Sequence, residues 1–154
     1  MTLYLPDFMP DLKYWVINNP VLAPLHGGRV YFRAPQKTDY PFIRLYRVGG
    51  TANNPQIPVM TVRISFEIRG GSTTPGKGAQ TYDATRNLSA NMESELWAFE
   101  PGRLVPIGTT PPGMTYCLGI QVLSNIDLPD APTGDPRFIL DAHFYMRMAG
   151  DADP

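Results

Sequence analysis

Between Thr61 and Arg69 the chain alternates without a break: Val62, Ile64, Phe66 and Ile68 are apolar, and Arg63, Ser65, Glu67 and Arg69 are polar. Successive side chains of a strand point to opposite faces, so this run fits a strand with one face in a core and the other polar. A second periodic stretch complements it. From Ala79 to about Phe99, the residues Ala84, Leu88, Met92, Leu96 and Phe99 recur at spacings of four, four, four and three, an apolar stripe suited to packing across a sheet. Glu100-Pro101-Gly102 ends that helix, since Pro101 cannot donate to the helical ladder and disfavours helical geometry at Glu100.

The remaining elements follow from periodicity and punctuation. Pro10 and Asp11 are start signals for a short helix over Asp11 to Asn18, with Leu12, Trp15 and Val16 on one side and Asn19-Pro20 as the stop. After Gly27-Gly28, strand-like runs cover Arg29 to Arg33 and Phe42 to Val48, separated by a polar segment with Pro35 and Pro41. In the second run, Phe42, Tyr46 and Val48 share one face and Ile43 and Leu45 the other, which predicts a central strand or one with a face against another subunit. Leu104 to Ile107 suits a short strand. Tyr116 to Leu123 and Phe138 to Arg147 flank a Pro- and Asp-rich turn and form a closing hairpin. The expected class is therefore α+β, with a mainly antiparallel sheet packed by one long helix and a short N-terminal helix.

Composition narrows the function classes. At 154 residues the chain suits one domain, 1–154, able to bury a core without disulfides or metal. Charged residues make up 18%, against a usual figure of about 25%, while 17 prolines and 14 glycines imply long ordered loops. Lys and Arg number 13 and Asp and Glu 14, and a formal charge of -1 gives no global pull on nucleic acid or an anionic membrane. Cys117 is the single cysteine, so neither a disulfide framework nor a cysteine zinc site is available, and a buried, inert thiol is expected. No basic and apolar leader opens the chain, and no apolar run reaches the roughly 18 residues that span a bilayer, so a soluble protein is expected.

Catalytic patterns are weak. Gly71 to Gly78 fits G-x-x-x-x-G-K between a predicted strand and helix, but Gly78 stands where a magnesium-binding Ser or Thr belongs, and Pro75 removes a phosphate-cradling donor. His26 and His143 are the only histidines; Asp141 and His143, two apart on one strand, read as polar surface partners rather than a base and its orienter. No usual metal-ligand spacing occurs. A non-enzymatic chain without cofactor or metal is expected.

Several segments together resemble the tail-terminator (tail completion) proteins of phages, particularly those encoded by phages of actinobacteria. The hairpin carries Leu128-Pro-Asp, Thr133-Gly-Asp-Pro-Arg137 and an alternating last strand; Pro20 to Tyr31 resembles the segment after the first helix, and Pro41 to Gly50 the proline-led second strand. Val62 to Gly70, followed by a loop and Tyr82 to Leu88, resembles the third strand and main helix. The resemblance covers nearly the whole domain in order, leaving out the N-terminal arm, 1–10, and an acidic flexible tail, 149–154. It implies a structural virion protein forming a hexameric ring at the head-proximal end of the tail tube. Such a ring ends tube polymerisation and joins the head. The implied partners are further copies of the chain, the major tail tube protein and the head-tail connector or stopper protein, with duplex DNA passing through the lumen without specific binding and no membrane. The implied place is the head-tail joint of the virion, and host cytoplasm during assembly. A connector or stopper ring, or a small binding module, is the alternative.

The residues suggest where such a ring would touch itself. With about 100° per helical residue, Trp97 lies about 160° from the centre of the apolar stripe, leaving a large aromatic on the outer side for a covering loop or a neighbouring subunit. Arg63, Glu67 and Arg69 on one strand, and Arg137, Asp141 and Arg147 on the last, could pair across a rotational interface or form a solvated face. Leu3, Tyr4, Leu5, Phe8 and Met9 form an apolar N-terminal arm, to lie on a neighbour or on its own domain.

Overall fold

The computed structural model describes residues 3–4, 7–35, 41–52, 59–70, 78–105, 116–128, 136–147 and 149–150. In chain order the elements are β1 (Leu3–Tyr4), α1 (Met9–Asn18), α2 (Ala23–His26), β2 (Val30–Tyr31), β3 (Phe42–Ala52), β4 (Val59–Arg69), α3 (Gly78–Trp97), β5 (Gly102–Arg103), β6 (Tyr116–Leu128), β7 (Arg137–Arg147) and β8 (Ala149–Gly150). The main sheet has six strands in the order β2-β3-β4-β7-β6-β5, antiparallel throughout except for the parallel β2–β3 pair. The class is the expected α+β, with β6 and β7 as the closing hairpin.

Strand β4 lies at the middle and is paired along its length with β3 and β7. Its apolar residues Val62, Ile64, Phe66 and Ile68 are buried, and the register sets beside them Ile43 and Leu45 of β3 and Phe138, Leu140, Ala142 and Phe144 of β7. Onto this surface α3 brings Leu88, Met92 and Leu96, and the α1 region brings Phe8, Leu12 and Val16, all in one cluster. The helices α1 and α3 thus pack on one side of the sheet. Phe8 is fully buried there, so it fills its own domain's core and has no surface left for a neighbouring chain.

The contact of α3 with the sheet differs from the expected stripe at its start. Ala84 is exposed, and Thr85 and Ser89 are buried in its place. The reason is polar: the Ser89 hydroxyl donates to Asn125 Oδ1 at 3.1 Å, while the Asn125 amide donates to Ser89 Oγ at 2.9 Å and to Glu93 Oε2 at 3.1 Å. Nearby the Tyr82 hydroxyl donates to Asp127 Oδ2 at 2.6 Å. These bonds fix the rotation of α3 over β6, where the apolar residues alone would allow sliding.

The other helical contacts are also side-chain ties. Asn19 Oδ1 accepts the backbone N–H groups of Val21 and Leu22 at the start of α2, and its amide donates to Glu95 Oε2 of α3. Gly28, at φ 81°, donates its N–H to Nδ1 of the buried His26; Nε2 then carries the proton and donates to the Val16 carbonyl at 2.9 Å. His26 is thereby a neutral link between α1 and α2, a structural role rather than a chemical one.

Two sequence-derived strands are shorter or displaced. Of Arg29 to Arg33 only Val30 and Tyr31 pair, and the strand expected at Leu104 to Ile107 lies instead at Gly102–Arg103, with Leu104 and Val105 turned into the core as bends. Ile107 and the phosphate-loop-like residues 71–77 are outside the described residues. The N-terminal arm meets the start of the tail, Leu3 opposite Gly150 and Tyr4 opposite Ala149.

Burial lowers the His26 pKa; the hydrogen bond to Val16 opposes that effect, and the Arg29 charge adds to it. The unfolded chain therefore binds more protons than the folded one below pH 6.5, so the His26 contribution is complete above that pH and is lost as pH falls through it. Urea titrations of the protein and of His26→Gln at stepped pH check this: the two stability curves should run parallel above neutrality, with the slope between pH 6.5 and about 5 shallower in the variant.

Candidate functional site

The face of the sheet turned away from the core is built by the other half of each alternation. Three registered rows define it: Arg44, Glu67, Ile139 and Ile126; Tyr46, Ser65, Asp141 and Ser124; and Phe42, Arg69, Arg137 and Leu128. A further row continues through Arg63, His143 and Gln121, and Arg147 ends β7. Among the described residues, this face carries no core-forming helix.

Nevertheless its centre is not solvated. The Glu67 side chain is only 4% exposed and lies 3.5 Å from Arg44, 3.5 Å from Arg69 and 3.4 Å from Arg137. The three arginine side chains are 37%, 33% and 40% exposed, so they keep contact with water while the Glu67 side chain between them does not. Arg44 also stacks 4.8 Å from the centre of the Tyr46 ring. Next to this cluster, Ser65 is buried and Arg63 forms an ion pair with Asp141. Burial works against the charged form of Asp141, but hydrogen bonds from Ser65 and Arg63 and the Arg63 charge outweigh it and hold the carboxyl below its ordinary value. An apolar group borders the charges: Ile126, opposite Ile139 in the Glu67 row, is 51% exposed.

The structure thus brings Arg63, Glu67, Arg69, Arg137 and Asp141 onto one surface, where their charges pair within the chain. A freely solvated face does not describe Glu67 or Ser65. Arg147 is exposed at the margin. Trp97 stands on the other layer, 61% exposed on the outer side of α3, with Glu93 one turn before it and Glu100 just beyond. Sequence reasoning missed Arg44, Tyr46 and Ile126. The alternation of Arg44 and Tyr46 with Ile43 and Leu45 was the available signal for the first two, while Ile126 depends on a register that two bulges in β6 reset.

Chemistry is sparse here. Asp141 is engaged by Arg63 and Ser65, and His143 meets Tyr145 edge-on with ring centres 6.5 Å apart. Cys117 is buried, donates to the Gly119 carbonyl at 3.3 Å, and has its pKa pushed up by burial to about 11, against a smaller lowering by that bond. Such a thiol stays protonated and unreactive at neutral pH. Among the described residues, no group of three or more His, Cys, Asp or Glu could hold a metal ion, and no helix is long and apolar enough to cross a membrane.

No protein-family model matches the chain, and no curated protein matches it. Among solved structures it is similar to a chain in the virion of a native gene transfer agent particle, with a TM-score of 0.65 and 13% identity over 88% of this chain and 91% of that one. At that identity the likeness is one of fold, and it extends across nearly the whole of both chains.

The Glu67 cluster makes an asymmetric prediction. Glu67→Gln removes the one anion from beneath three cations and should cost about 2 kcal/mol, less than the ~3–5 for a fully buried pair because the arginine heads reach water. Arg44→Ala leaves two arginines on the same carboxylate and should cost less than about 1 kcal/mol. Urea unfolding of both variants measures the difference; equal costs would mean that Glu67 is not the hub.

Proposed function

We propose that this chain is a tail-terminator protein: a structural virion component that forms a ring, a hexamer in the reading we favour, at the head-proximal end of a phage tail tube. The observation that carries the reading is the fold shared across nearly the full length with a chain from a gene transfer agent virion. The surface supports it, since exposed Trp97 on the helix layer, and exposed Ile126 beside the arginines of the sheet, have the composition of protein contacts.

The mechanism is geometric. One face of the ring matches the end of the tube and the other does not, so its addition removes the template for the next tube ring. That second face receives the head connector or stopper protein. A chain of net charge -1 suits a lumen through which duplex DNA slides without being held. No catalytic step is involved, and the chain acts at the head-tail joint after assembly in the host cytoplasm.

Electron microscopy of the purified chain mixed with tail tubes, and separately with filled heads, tests this. Rings capping one end of the tubes, together with shorter tubes when the chain is present during polymerisation, are the expected result. Binding to heads alone would reassign it as a connector or stopper ring. Binding to neither would leave a small binding module.

A further inference from the structure

The near-neutral total hides a polar subunit. On the outer sheet face stand Arg44, Arg63, Arg69, Arg137 and Arg147 against Glu67 and Asp141, an excess of three positive charges. On α3 and the residues just after it stand Asp83, Glu93, Glu95 and Glu100 against Arg86, an excess of three negative charges. The two surfaces belong to opposite layers, helix on one side of the sheet and arginines on the other. Each also bears apolar area that its own domain leaves uncovered: Trp97 between Glu93 and Glu100 on the helix, and Ile126 beside the arginines on the sheet.

We infer that the outer sheet face is the socket for the Trp97 end of α3 from a second copy of this chain, in a head-to-tail contact repeated from subunit to subunit. Trp97 lies against Ile126 and Ile139 with an arginine over its ring, and Glu93 and Glu100 meet the guanidinium edges left outward by the Glu67 cluster. Because the knob and socket are different surfaces on opposite sides of one subunit, the contact is heterologous, and it closes into a ring when its rotation does. The inference deepens the ring reading above by naming the two surfaces that meet.

Nucleic acid fits the same face less well. Three of its arginines already share Glu67 and a fourth is paired with Asp141, and the phosphate backbone offers nothing to the exposed Ile126. A tryptophan flanked by carboxylates answers both the apolar and the cationic groups. It is present on this chain.

Cross-linking tests the pairing even when association is weak. Ala98→Cys beside Trp97 is an exposed position, Ser124→Cys stands two residues from Ile126 on the same sheet face and leaves the socket intact, and buried Cys117 stays silent toward a thiol reagent. The two single variants are mixed at high concentration with a short bismaleimide. The mixed product should far exceed the two same-variant products combined, and adding Trp97→Ala to the Ala98→Cys chain should cut it about tenfold or more. Products at the random ratio, same-variant products alone, or indifference to Trp97→Ala would overturn the inference. So would suppression of the mixed product by duplex DNA that co-migrates with the chain. Tube capping that survives Trp97→Ala would sink this contact and leave tail termination standing; a mixed product from a chain that ignores tubes would do the reverse.

Discussion

The pairing of β4 with β7 along its whole length, and with β3 on either side of a single bulge at Val48, is the constraint from which the rest follows. Its alternation assigns every residue of the neighbouring strands to a face, because a one-residue slip would carry Val62, Ile64, Phe66 and Ile68 out of the core and four polar groups into it. With that register fixed, Ile43 and Leu45 join the core from β3, and Phe138, Leu140, Ala142 and Phe144 from β7. The helices supplying apolar residues to this core must then share one side of the sheet. The opposite face is left to be closed by its own side chains.

Glu67 shows how that closure works. A carboxylate this deeply covered is tolerable only with cations around it, and here they come from three different strands: Arg44 from β3, Arg69 from β4 itself and Arg137 from β7. The cluster therefore reads the register of the three-stranded centre from the polar side as the apolar rows read it from the core side. It also turns long flexible arginine side chains into an ordered, partly apolar surface. Arg44 stacked on Tyr46 extends the same effect to the edge of the cluster.

Much of this order is legible in the sequence where a single period governs a segment. The β4 alternation, the α3 span to within a few residues, the hairpin of β6 and β7 and the α+β class all follow from such periods. What was not legible depends on contacts between segments. Ala84 satisfies the apolar spacing, yet Ser89 and Thr85 are the buried positions, with Asn125, 36 residues beyond Ser89 in the chain, fixing the rotation through Ser89 and Glu93. Arg63, Glu67, Arg69, Arg137 and Asp141 are recognisable as one polar face, but their pairing within the chain depends on the β4–β7 register, which brings Arg137 to Glu67 and Asp141 to Arg63. Phe8 reads as part of an arm lying on a neighbour or on its own domain, and the sequence leaves that choice open because nothing local records that α1 folds back over the sheet. The parallel β2–β3 pair is too short for any period to announce.

The separation of charge between the two layers has a different weight from the tryptophan that accompanies it. Exposed charges are screened over about 8–10 Å at ordinary ionic strength, so arginines on one subunit and glutamates on another act mainly as they approach, selecting orientation and speeding encounter. Lasting affinity has to come from apolar area taken out of water, for which Trp97 and Ile126 are the available groups on the two surfaces. Tethering most of the sheet arginines to Glu67 and Asp141 keeps the face from acting as a bare cationic patch that would collect phosphate. In the contact proposed between copies, a chain whose formal charge is -1 would thereby combine orientational preference with weak attraction for a polyanion.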